Sequence, residues 1–158
     1  MVGHRNQAPG FNPRRGEGAR RFGGRYNPPH TFAVIYLCAT RACAVAELTR
    51  QAHRQAMSLD DFLPRELWQV TTELSITLDL TDRATRDALN VEADDLVRAD
   101  VQLTREIGQA SHDYGFQAIQ SPSATGIDRV IAVFPDNLAG TALDAELIEQ
   151  WRTAADLQ

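Results

Sequence analysis

Arg25, Tyr26 and Asn27 follow two glycines, Gly23 and Gly24. Such a grouping lets backbone approach a ligand closely while a forked, planar guanidinium meets phosphate oxygens. Tyr36 comes ten residues later in an apolar run, where a flat ring either packs in a core or stacks on a planar base. Glu47 falls beside Ala44 and Leu48 on a helical wheel, at the margin of the apolar face. Acidic side chains are seldom buried without a partner, so Glu47 is either the solvent edge of its helix or a carboxylate aimed into a cleft. Ser123 lies in Ser121-Pro122-Ser123-Ala124-Thr125-Gly126, which taken alone is ordinary turn chemistry. As a set, an arginine for phosphates, tyrosines for a base, a carboxylate and a serine fit cleavage of a nucleotide's glycosidic bond. Positive charge builds on the sugar as that bond breaks, and a carboxylate facing it, or holding a ribose hydroxyl, stabilises the transition state more than the ground state.

Other chemistries find less support. All sixteen basic residues are arginines, which rules out a Walker lysine, a Schiff-base lysine and a Ser-Lys dyad. Cys38 and Cys43 match neither a CxxC redox motif nor a zinc knuckle and read as buried free thiols. His4, His30, His53 and His112 never take HExxH spacing, and the pairs Asp60-Asp61 and Asp94-Asp95 lack the glycine and closing glutamate of a calcium loop, so no metal site is expected. No GxSxG elbow is present for a serine hydrolase.

The elements that must position these residues follow from period and punctuation. A chain of 158 residues that is 43% hydrophobic favours one domain with one sizeable core. No apolar run reaches the roughly eighteen residues of a membrane span, and the first thirty residues lack a secretory apolar centre. The expectation is a soluble, cytoplasmic protein. Residues 1–22 show no apolar periodicity and read as a basic arm, flexible in part. Within the first twenty-five residues six arginines face Glu17 alone, a charge of +5 in a chain whose total is −5, so an anionic ligand near the arm is expected. Thr31 to Cys38 reads as a buried strand, and Thr40 as the N-cap of the helix that carries Glu47. Leu67 to Leu80 alternates with period two and predicts one long strand. Short helices are expected over Arg83–Asn90 and Val101–His112, the second stopped by Gly115, followed by strands Phe116–Gln120 and Arg129–Phe134. Helices interleaved with strands argue for an α+β domain with a mixed or mostly antiparallel sheet.

The order GGRYNPP, a strand with Tyr36, Glu47 in AVAEL, then SPSA before a strand ending in VF, resembles the RES domain family, toxins of bacterial toxin-antitoxin pairs named for an arginine, a glutamate and a serine. The likeness runs from about Gly16 to Phe134. It places the domain over 23–158 behind the arm and implies an ADP-ribosyltransferase-like split β-sheet flanked by helices around a cleft for NAD+. By position, Arg25, Glu47 and Ser123 would be the catalytic residues, and Tyr26, Asn27 and Tyr36 the substrate-binding ones. NAD+ would be a substrate rather than a bound cofactor, cleaved at the nicotinamide-ribose bond with inorganic phosphate or water as acceptor. The likeness also implies a cognate Xre-type antitoxin with a helix-turn-helix domain and allows a homodimer; no membrane or direct nucleic-acid contact is expected. Transfer of ADP-ribose to a protein is the alternative reading of the same site, and a nucleic-acid module built on the basic arm is a weaker one. Three features depart from the family pattern: no strand is read ahead of the glycine-rich segment, a glycine common after Asn-Pro-Pro is His30 here, and an aromatic or aliphatic residue often found before Pro-Ser-Ala is Ser121.

Overall fold

A computed structural model describes residues 1–158. Seven strands form one sheet: β1 (Val2–Gln7), β2 (Ile35–Cys38), β3 (Arg65–Thr72), β4 (Thr77–Asp79), β5 (Ala118–Pro122), β6 (Arg129–Val133) and β7 (Leu143–Trp151). Their spatial order is β4-β5-β6-β2-β1-β3-β7. Every pairing is antiparallel except β4 with β5. The helices are α1 (Glu17–Phe22), α2 (Arg41–Arg54), α3 (Arg83–Leu89) and α4 (Gln102–Asp113). None is long and apolar enough to cross a membrane. This is the α+β, mixed-sheet architecture expected from the sequence.

The sheet has a weak seam. β1 matches β3 over six residue pairs and β2 matches β6 over four, but β1 and β2 meet only at His4 and Cys38. Beyond that pair the two halves diverge, and the opening between them holds the candidate site.

Directly opposed residues share a face. On one face Ile35, Leu37, Ile131, Val133, Val70 and Ala118 form a core with Leu138. The other face carries two clusters, one on each side of the opening. In the first, α2 buries Cys43, Ala44 and Leu48 against Cys38, Leu67 and Trp151. In the second, Tyr26, Val34, Leu80, Leu96, Ile119, Ala132 and Phe134 pack together, with Ile107 of α4 against them. The two clusters form the flanks of a cleft whose floor is the diverging sheet.

Several sequence expectations hold locally. Thr40 caps α2, its side chain accepting a hydrogen bond from the Cys43 amide. Gly115, at φ 85°, ends α4, and its amide donates to the His112 carbonyl. Cys38 and Cys43 are free, buried thiols.

Two expectations are corrected. The run from Leu67 to Leu80 is two strands in opposite halves of the sheet, β3 between β1 and β7 and β4 at the far edge beside β5. The crossing is held where the Gln117 side-chain carbonyl accepts from the Ser75 and Ile76 amides and Ile76 itself is half exposed. Period two persists on both sides of such a crossing and hides it. The second correction concerns the arm: residues 2–7 form β1, in the middle of the sheet, and residues 17–22 form α1. VGHRNQ lacks an apolar signature because His4, Arg5 and Asn6 line the cleft, and because Gly3 is pressed against Leu37, whose Cβ would lie 2.9 Å from an added Cβ. β7 had no counterpart in the sequence reading.

Candidate active site

The cleft, about 560 Å³, is walled by the turn that follows α1, by β1 and β2, by α2, and by the β5–β6 connection. Gly23, at φ 74°, turns the chain out of α1. Gly24 then passes so close to the Tyr36 ring that a Cβ would sit about 2.5 Å from it, which only glycine allows. The Arg105 Nε from α4 donates to the Gly24 carbonyl at 3.0 Å and holds this approach.

Arg25 lines the cleft, and its guanidinium donates once, to the Arg98 carbonyl at 2.8 Å, leaving the rest of its fork free. Burial lowers its pKa, Tyr26 and Glu47 work against that shift, and Arg50 and Arg54 add to it. Tyr36 receives the Tyr26 amide at 2.8 Å on its hydroxyl oxygen and donates its proton to the Asn27 side-chain carbonyl at 2.8 Å. Burial pushes the Tyr36 phenol above its ordinary range. Tyr26 is fully buried, donates to the Ser121 hydroxyl at 2.6 Å and has its own phenol pushed up by burial to about 12.

Glu47 enters the cleft from α2. The Ser123 hydroxyl donates to Glu47 Oε1 at 2.7 Å, and Ser123 Oγ is in turn bonded by the Thr125 amide at 3.1 Å and the Thr125 hydroxyl at 2.6 Å. One carboxylate oxygen is thereby fixed, and Oε2 has no protein partner. No imidazole approaches Ser123; its proton is directed at Glu47, so the hydrogen bond fixes the orientation of that carboxylate.

The six expected site residues therefore divide. Arg25, Tyr26, Tyr36 and Glu47 line the cleft, and Ser123 touches it through Glu47. Asn27 does not line it: fully buried, it donates to the Ala19 and Phe32 carbonyls and braces Tyr36. Residues not anticipated also face the cleft, namely Asn6, Arg50, Gln51 and Arg65. Arg50 and Gln51 follow Glu47 at i+3 and i+4, so helical spacing alone marks them as neighbours. Asn6 and Arg65 come from β1 and β3, and nothing in the local pattern places them there.

A mixed sheet split at its centre, with the Glu47 carboxylate on one flank of the split and Arg25 on the other, defines the class: an ADP-ribosyltransferase-like fold. The RES domain family model matches residues 2–156, and the chain belongs to that family. It is 34% identical over 122 residues to proteins named NAD(+) phosphorylase MbcT from Mycobacterium bovis and from Mycobacterium tuberculosis strain H37Rv. These alignments cover 75% of this chain and 65% of the relatives' length. The crystal structure of the M. tuberculosis MbcT–MbcA toxin–antitoxin complex contains a chain that superposes with a TM-score of 0.81 at 26% identity, covering 94% of this chain and 84% of that one.

Proposed function

We propose that this protein is an NAD+-consuming toxin that cleaves the nicotinamide-ribose bond by phosphorolysis, held in check by a cognate antitoxin protein. The observation that carries the reading is the Ser123-Glu47 pair, which fixes a carboxylate in a cleft opposite Arg25. Glu47 stabilises the charge that develops on the ribose, or the hydroxyl beside it, as nicotinamide departs. Ser123 and Thr125 hold the carboxylate ready, so reorienting it costs nothing during the reaction. Arg25 anchors the dinucleotide's phosphates, and the Tyr36-Asn27-Tyr26 network fixes the wall against which the base lies. The MbcT relatives carry the name of this activity, and the structural neighbour was solved with its antitoxin, which supports both halves of the reading.

Induced expression in a bacterial host, with cellular NAD+ followed over time, tests it beside Glu47→Ala. NAD+ is expected to collapse with the parent and to hold steady with the variant. Equal NAD+ loss from both removes Glu47 from the mechanism, and steady NAD+ with folded parent protein overturns the reading.

A further inference from the structure

Glu47, Arg50, Gln51, Arg54 and Gln55 recur at i, i+3, i+4, i+7 and i+8 and form one polar stripe along α2 and its cap. Beside the cleft this stripe, with Asn6, walls a second hollow of about 440 Å³ that shares Asn6, Glu47, Arg50 and Gln51 with the first. Its lining consists almost wholly of side chains that can donate hydrogen bonds; Glu47 is the only acid and Leu48 the only apolar residue. Neither Arg50 nor Arg54 makes a salt bridge, and neither guanidinium has a hydrogen-bond partner. Two like charges one turn apart weaken a helix unless an anion lies between them. The helix dipole accounts for a cation at Arg54, in the last turn, but not for Arg50 a turn earlier, whose side chain lines the cleft.

The cleft itself has more cationic groups than a dinucleotide requires. Arg5, Arg25, Arg50 and Arg65 all line it, none paired with a carboxylate. Arg5 is occupied in holding the Pro13 and Arg15 carbonyls. Arg25 is assigned above to the diphosphate. The Arg50-Arg54 hollow meets the cleft at Glu47, the carboxylate that the proposed reaction sets against the ribose, so an anion held there lies beside the reacting sugar.

Resting on the NAD+-cleaving reading, we infer that the hollow bounded by Arg50 and Arg54 is the docking site of the acceptor, inorganic phosphate. A phosphate oxygen forms the new bond to the ribose carbon as the bond from that carbon to the nicotinamide nitrogen breaks. The electron pair of the broken bond neutralises the pyridinium, nicotinamide leaves uncharged, and no redox partner is needed. The arginines offset the repulsion between the incoming phosphate and Glu47, and the amides of Gln51 and Gln55 offer further donors.

The test measures initial rates with the purified full chain against inorganic phosphate and against NAD+ separately, with products resolved into ADP-ribose phosphate and ADP-ribose. Arg50→Gln/Arg54→Gln is expected to raise the KM for phosphate about tenfold or more. Its KM for NAD+ should move much less, and the product mixture should shift toward ADP-ribose. Arg50→Lys/Arg54→Lys, which keeps the charge, should recover part of the phosphate affinity; circular dichroism checks that both variants fold. An unchanged phosphate KM, or equal rises in both KM values, overturns the site while leaving the NAD+ reading standing. A parent protein that consumes no NAD+ fails at the earlier step and takes the acceptor site with it.

Discussion

At the scale of single residues, the proposed activity depends on how firmly Glu47 is held. Its only protein hydrogen bond comes from Ser123, and Ser123 is itself supplied with two bonds by Thr125. Ser123→Ala frees the carboxylate to rotate without removing it. The expected outcome is a fall in kcat of about ten- to a hundredfold, with KM for NAD+ nearly unchanged, because positioning rather than binding is lost. Steady-state kinetics on the folded variant check this, and an unaltered kcat would show that Glu47 needs no such support. Tyr36, half-buried, and Asn27, fully buried, belong to a second kind of residue, groups that fix the cleft wall by satisfying one another. Their types were visible in the sequence, but the division of labour was not. Asn27 stands beside Arg25 in the chain yet turns inward to the Ala19 and Phe32 carbonyls. His30 also makes sense at this scale: at φ 61° it occupies a left-handed conformation that glycine adopts freely, in keeping with the glycine common at that point of the family pattern.

Among the elements, α4 supports the cleft from behind. A Cβ on Gly108 would overlap the carbonyl oxygen of Tyr26, so the helix rests directly on the backbone of the segment that carries Arg25. Gly108→Ala is expected to destabilise the fold by about 1–3 kcal/mol and to lower activity as well, since relief of the overlap displaces that segment. Urea unfolding measures the first effect and NAD+ turnover of the folded fraction the second. On the other flank, Glu149 of β7 receives Arg41 Nε of α2 at 2.8 Å and Trp151 Nε1 at 2.7 Å. The Arg41 hydrogen bond holds the Glu149 carboxyl below its ordinary pKa of 4.5, with the Trp151 bond and the Arg41 charge adding to it. A depressed folded pKa gives stability that is present above the unfolded value and lost as pH falls through the folded one. Urea midpoints compared below about pH 4.5 should therefore decline more steeply for the parent than for Glu149→Gln. Parallel acid limbs for the two proteins would remove Glu149 from the acid response.

For the molecule as a whole, a chain of net charge −5 gathers arginines at one cleft, so its field draws anions to a local site despite the overall sign. The KM for NAD+ is accordingly expected to rise several-fold as ionic strength goes from low to high, by screening at the cleft mouth. A KM indifferent to salt would place the dinucleotide's phosphates away from these arginines. The fold was legible in part from local pattern. β2, β5, β6 and α2 to α4 follow from hydrophobic period, caps and a terminating glycine, all set by neighbours within a turn or two of the chain. The residue types at the site, an arginine after two glycines, a helix-borne glutamate and a serine in a turn, are local features too. Other properties came only with long-range pairing. β1 is polar because it floors a cleft, and that cleft exists only once β1 and β2 part beyond His4 and Cys38. β3 and β4 share one alternating pattern yet lie in opposite halves of the sheet, since period two records which face is buried and not which strand is the neighbour. The polar stripe of α2 is set by helical spacing alone, but it became the wall of a hollow only when the sheet brought Asn6 opposite it.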